Sequence, residues 1–283
     1  MTPIVLAALS AFLFGAMTVF VRFALRAGVA PEAGALFTIL PALGVTAVTA
    51  AARGEMDLLS AWPFLLAGLL APGVSQILFT FAVRDAGASR ASVTVGTAPL
   101  FAVAIALVFL DEPLVAGLAL GVALIVAGGI LLASERARPE HFRRVGLLFA
   151  LGATFAFATR DSLIRRLGTE ATDVDPGLAA FATMASGTAV TLGFVLAVGA
   201  RPSRRAAVAF LPAALCYGIS YVLLFEAFYR GRVSVVSPII ATESLWGVTL
   251  SWLFLRRQER VGARLFAGAV LVVAGGILIG VFR

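Results

Sequence analysis

Few side chains in this sequence are able to do chemistry, and most of those that are interrupt long apolar runs. Glu243 sits in SPIIATESLWG with no basic residue beside it. A carboxylate in such surroundings needs a partner or a proton, so it can hold a structural hydrogen bond, relay a proton or bind an ammonium group. Glu226, near the end of the preceding apolar run, is a weaker version of the same case. Four arginines form two spaced pairs. Arg22 ends FGAMTVFVR and Arg160 ends FALGATFAFATR, 138 residues later. Arg84 ends LFTFAVR and Arg230 ends LFEAFYR, 146 residues later. An arginine at the centre of a membrane helix costs about 2.5–3.5 kcal/mol, less where it snorkels to the surface. Each is therefore satisfied by headgroups or by Asp85, Asp161 or Glu226, or it faces a cavity where its planar fork holds an anionic group. Gln76 and Ser75 put polar groups beside Pro72-Gly73, the strongest break in the chain. Tyr221 belongs to a ridge of Tyr217, Tyr221, Phe225 and Tyr229 at four-residue spacing, one face of a helix that either packs or meets a solute.

Soluble-enzyme signatures are absent: there is no HExxH, CxxC, GxSxG or phosphate-binding lysine loop. A single histidine and a single cysteine, Cys216, leave no metal site and no internal disulfide, and no cofactor is implied. The composition is 61% apolar and 13% charged, with a mean hydropathy of +1.03. A soluble domain needs about 25% charged residues to cover its core, so the surrounding medium must be a lipid bilayer. The net charge of +7 comes from arginine alone and clusters between apolar runs, which suits anionic headgroups and argues against nucleic acid.

The elements that must carry these residues are ten apolar stretches: 3–25, 33–52, 61–83, 91–110, 115–133, 145–167, 177–199, 206–228, 233–255 and 261–281. Each covers a hydrocarbon core needing about 20 helical residues. They are too long for strands and lack sustained alternation, and helices satisfy their backbone locally in lipid. The opening MTPIVLAALSAFLFG lacks a signal peptide's basic region and is expected to be a retained first span. The stretch Phe109–Leu132 returns as Phe254–Leu278: Glu112, Gly121 and Gly128-Gly129 recur at Glu259, Gly268 and Gly275-Gly276, 147 residues on. This predicts duplicated halves, 1–134 and 143–283, joined by a linker at 135–142. Five spans per half force the second half to enter the membrane from the opposite side, giving two inverted five-helix repeats. By the positive-inside rule, the face richer in arginine places both termini outside the cytoplasm. Gly121, Gly128, Gly268 and Gly275 let helix backbones approach closely, so the fifth and tenth spans are expected to be scaffold. Pro72, Gly73 and Pro99 interrupt spans, as is tolerated beside a cavity or a neighbouring helix.

The segments APLFAVAIALVFLDEP and GLALGVALIVAGGILL, with SLWGVTLSWLFLRRQERVGARLFAGAVLVVAGGIL in the second half, resemble the EamA family of the drug/metabolite transporter superfamily. The resemblance implies a secondary transporter of small metabolites, often exporting amino acids or related compounds, with a central cavity built from both halves. Two departures stand out. Arg257-Gln258 are extra in the second copy, and the 147-residue offset sets Trp246 where the first half has Pro99. The reading is thus a multi-pass carrier of a bacterial-type inner (plasma) membrane, working on a small-molecule solute with or without proton coupling. The alternatives are an intramembrane enzyme, a lipid-handling protein and a membrane scaffold. Oligomeric state is left open.

Overall fold

The chain is seen here in a computed structural model. The structure describes residues 1–101, 104, 115–135, 142–167, 173–231, 233–259 and 262–282. The turn Asp111-Glu112-Pro113 and linker residues Arg136, Arg138 and His141 lie outside the described residues.

Among the described residues the secondary structure is helical throughout, with no strand. The helices are α1 Pro3–Arg26, α2 Pro31–Ala52, α3 Trp62–Gly68, α4 Ser75–Ala86, α5 Ala88–Val95, α6 Ala116–Ser134, α7 Val145–Arg166, α8 Pro176–Ala197, α9 Arg204–Arg230, α10 Val233–Ile240, α11 Glu243–Glu259 and α12 Ala263–Phe282. Eight stretches are long and apolar enough to cross a membrane, with α3 and α4 counted as one and Pro238–Leu255 as another. A shorter apolar run fills α6 at Ala116–Leu132. The fourth expected span is described only as α5, a turn at Gly96-Thr97 and the helical start that follows.

Local sequence sets the ends. Pro3, Pro31 and Pro176 open helices, where a missing N–H costs nothing, and the Asp175 carboxylate accepts from the Gly177 N–H at 2.7 Å. Gly87 turns the chain between α4 and α5 with φ of +92°, a left-handed value that favours glycine. Within the spans, buried threonines return their hydroxyls to their own helix: Thr38 to Gly34 O at 2.8 Å, and Thr191 to Gly187 O at 3.1 Å. Polar groups surrounded by hydrocarbon are thereby satisfied without water.

The order of the exterior is reversed relative to a soluble protein. Leu120, Val126 and Ile130 of α6 and Phe266, Val270 and Ile277 of α12 point outward, while serines, threonines and arginines sit inside. Contacts at helix ends fall into two groups. In one, Arg53 after α2 pairs with Asp175 before α8 at 3.1 Å and with Glu226 near the end of α9. In the other, Arg205 donates to Ala27 O at 2.7 Å, and the Arg143 N–H donates to Asp85 O at 2.8 Å.

Glycine fixes a close helix contact, α6 against α12. A Cβ on Gly128 would stand 2.7 Å from Gly268 O and 2.8 Å from Val272 Cγ2. Gly121 faces Ile279 and the carbonyl of Gly275 in the same way. The adjacent Gly129 has open space. Gly128→Leu is expected to cost about 1–3 kcal/mol by overpacking, and Gly129→Leu less than about 0.5 kcal/mol. Thermal unfolding in detergent should separate the two variants by several degrees.

Candidate functional site

A cavity of about 560 Å³ lies between the two halves. Its walls come from residues of α1, α4, α5, α7, α9 and α12, and from two helix interruptions. The first interruption is the turn Gly96-Thr97, after which Pro99, lacking an N–H, stands in the first turn of a new helix. The second is the turn Ala241-Thr242 between α10 and α11. The two are built alike: Thr97 Oγ1 donates to Thr94 O at 2.6 Å, and Thr242 Oγ1 donates to Ile239 O at 2.6 Å. These threonines are 145 residues apart (242 − 97), as are the left-handed glycines Gly54 and Gly199 (199 − 54). The 147-residue offset therefore applies only after the extra pair Arg257-Gln258. The counterpart of Pro99 is Ser244, not Trp246.

Glu243 is the first residue of α11 and lines the cavity. It thus opens a new helix at membrane depth, where a continuous ninth span was expected. Facing it, α7 supplies Phe157, Arg160 and Asp161. Arg160 is 3% exposed; its Nε and Nη2 donate to Asp161 Oδ1 at 2.9 and 2.7 Å. Its Nη1 is buried without a hydrogen-bond partner among the described residues. The guanidinium carbon lies 5.2 Å from the ring centres of both Phe157 and Tyr221, within cation–π range. Tyr221 itself stands behind the wall and donates its hydroxyl to Ala71 O at 3.2 Å. Tyr217, one turn earlier on α9, reaches the cavity surface.

The other candidates are elsewhere. Arg22 Nη1 donates to Val83 O and Arg84 O, both at 3.0 Å, closing the C-terminal end of α4 where carbonyls lack helical partners. Arg84 grips its neighbour Asp85 through Nε and Nη2, each at 2.7 Å, and lies 4.5 Å from the Phe81 ring centre. Arg230 pairs with Glu226 one turn back at 2.5 Å, in the cluster that includes Arg53 and Asp175. Gln76 is fully buried, and neither atom of its amide has a hydrogen-bond partner among the described residues. It follows the wide turn Leu69–Val74, where Pro72 packs on Gly187 and Gly73 on Val190 of α8. Gly275 meets α6 at Ile125, whereas Gly276 faces the cavity beside Pro99 and Ala241.

Of the polar candidates, then, Glu243 and Arg160 share the cavity, Tyr221 supports Arg160, and Arg22, Arg84, Arg230, Glu226 and Gln76 do not line it. Asp161, which the sequence offers as an arginine partner, is itself a wall residue. The Arg-Asp dipeptide inside an apolar run was its available signal. Chemically, the site offers two carboxyl groups, one guanidinium already paired with Asp161, and aromatic walls from Phe14, Phe79, Phe157 and Tyr217.

One solved crystal structure superposes on the chain with a TM-score of 0.70 at 16% identity, over 98% of this chain and 95% of that one. At that identity the likeness concerns the fold alone. A search of curated proteins finds no significant match. The EamA-like transporter family matches residues 1–134 and again 144–281. With both halves matched, the chain belongs to the EamA-like transporter family.

Proposed function

We propose that this protein is a secondary carrier. It exports a small metabolite, such as an amino acid or related compound, across a bacterial-type inner membrane. It works by alternating access between two inverted five-helix repeats, 1–134 and 143–283, with 135–142 as the linker. The observation that carries this reading is the cavity, where two interrupted spans meet and Glu243 and the Arg160–Asp161 pair face one space. Interrupted helices in a membrane expose unbonded backbone and are tolerated where they line a cavity.

The helix-end contacts support the inverted arrangement. Gly231 lies against Pro3, so the start of α1 joins the group holding Arg53, Asp175 and Glu226. The start of α7 lies with the other group, through Arg143 and Asp85. Packing is reciprocal in the same sense: α1 packs on α9 as α7 packs on α4, while α6 and α12, and α2 and α8, pair with each other. The carrier reading takes its energy from a gradient, with Glu243 as the group able to bind a proton or a solute ammonium.

Two measurements test these points. In proteoliposomes, a panel of amino acids, amines and carboxylic acids is followed with and without a pH gradient. At least one solute is expected to move, and Glu243→Gln should reduce its gradient-driven flux by tenfold or more. Movement of none of them, or unchanged pH response in Glu243→Gln, would contradict the reading. For the inversion, cysteines replace Met56 and Arg201, which occupy equivalent loops 145 residues apart (201 − 56), with Cys216→Ala as background. Inverted repeats place the two thiols on opposite faces, so an impermeant maleimide should label only one from outside. Labelling of both from one side would mean parallel halves.

A further inference from the structure

The charged residues among the described cavity walls are Arg160, Asp161 and Glu243. Arg160 and Asp161 are joined by two hydrogen bonds and together carry no net charge. Glu243 makes no ion pair or hydrogen bond among the described residues. From α7 it feels Arg160 and Asp161, and from α9 the neutral phenol of Tyr217. The wall positions on α1, α4, α5 and α12 include Phe14, Phe79, Ser92 and Ile279, and none of the wall residues on these helices ionises. The described walls therefore carry one negative charge when Glu243 is ionised and none when it is protonated.

When the cavity closes off from water during transport, a net charge left in it costs several kcal/mol even after relaxation. Two loads bring the enclosed charge to zero: a proton on Glu243, or a monovalent cation beside the ionised carboxylate. A zwitterion beside ionised Glu243 leaves one negative charge, and an anion leaves two. Beside protonated Glu243 a zwitterion leaves none, but its carboxylate then meets no cation free to pair among the described wall residues. Arg160 does not offset this, since Asp161 already neutralises it. Aromatic walls favour a cation with an apolar body.

Resting on the carrier reading above, we propose that the cavity takes a monovalent organic amine in its ammonium form, with an apolar body and no free carboxylate. That ligand and one proton occupy Glu243 in turn. When the ammonium enters, the Glu243 proton leaves to water on the side from which the ligand came. When the ligand leaves, a proton returns. Either loaded form crosses uncharged at this site, whereas the ionised empty form is held back by its unbalanced carboxylate. The exchange is therefore one ammonium for one proton.

Three probes that share a phenyl body and differ in charge test this on the purified full-length chain in detergent: 2-phenylethylamine, phenylalanine and 3-phenylpropionate. Binding is followed by calorimetry in weak buffer with a pH electrode. The amine is expected to bind at least about tenfold more tightly than the other two, a difference of about 1.4 kcal/mol. It should release protons on binding and bind less well as the pH is lowered. Glu243→Gln should lose both the tight binding and the proton release, while Glu243→Asp keeps the proton release. Equal or tighter binding of phenylalanine or phenylpropionate would overturn the proposal. So would amine binding that survives Glu243→Gln, or absence of binding by all three probes. None of these outcomes alters the solute-flux result, whereas amine binding without flux of any solute would sink the carrier reading alone.

Discussion

The absence of water inside a bilayer governs this molecule. Every backbone polar group has to be satisfied within the chain, and every charge has to be paired, brought to the surface or turned toward an enclosed space. The first demand yields a bundle of helices with hydrocarbon-facing leucines, valines and phenylalanines. The second sorts the charged groups. Arg22 closes the end of α4, Arg84 holds Asp85, and Glu226 joins Arg53 and Arg230 at the end of α9. These pairs tie helix ends together and stay out of the cavity. Among the described residues Glu243 has no such partner, and Arg160 spends only part of its donor capacity on Asp161.

The same demand decides where helices break. At Gly96-Thr97 and Ala241-Thr242 the chain leaves the helical ladder, and threonine hydroxyls take up carbonyls at 2.6 Å in both places. Each break sits on the cavity wall rather than against lipid. Close glycine contacts do the opposite work. Gly121 and Gly128 bring the α6 backbone against α12, and the paired Gly275-Gly276 serves both purposes, one residue packing on α6 and the next bordering the cavity. Scaffold and site are thus one residue apart on a single helix.

Much of the architecture was legible because hydrophobic length is a strong signal. The expected first span, 3–25, is Pro3–Arg26, and the seventh, 177–199, is Pro176–Ala197. The interruption of the ninth span was hidden, since Ala241-Thr242 contains neither glycine nor proline and Pro238 lies inside α10. The repeat offset was legible where glycines mark it, but two inserted residues shifted it upstream, so Pro99 was matched with the wrong partner. The site was only partly legible. Arg22, Arg84, Arg160 and Arg230 are equivalent by local sequence, each at the end of an aromatic-rich apolar run. The partner each one finds distinguishes them: Val83 O and Arg84 O on α4 for Arg22, the adjacent Asp85 for Arg84, Glu226 one turn back for Arg230, and the cavity for Arg160.

The central claim is that water reaches the middle of the membrane between the halves and nowhere else at that depth. It is tested most directly by thiol reactivity in sealed vesicles, with Cys216→Ala as background and one cysteine at a time. Ala98 lines the cavity, and Val126 is mid-span on the lipid-facing side of α6. Because these thiols react as thiolates, which form only where there is water, a small charged methanethiosulfonate should modify Ala98→Cys and leave Val126→Cys untouched. Equal reactivity at both sites, or none at Ala98→Cys from either side of the membrane, would contradict the account.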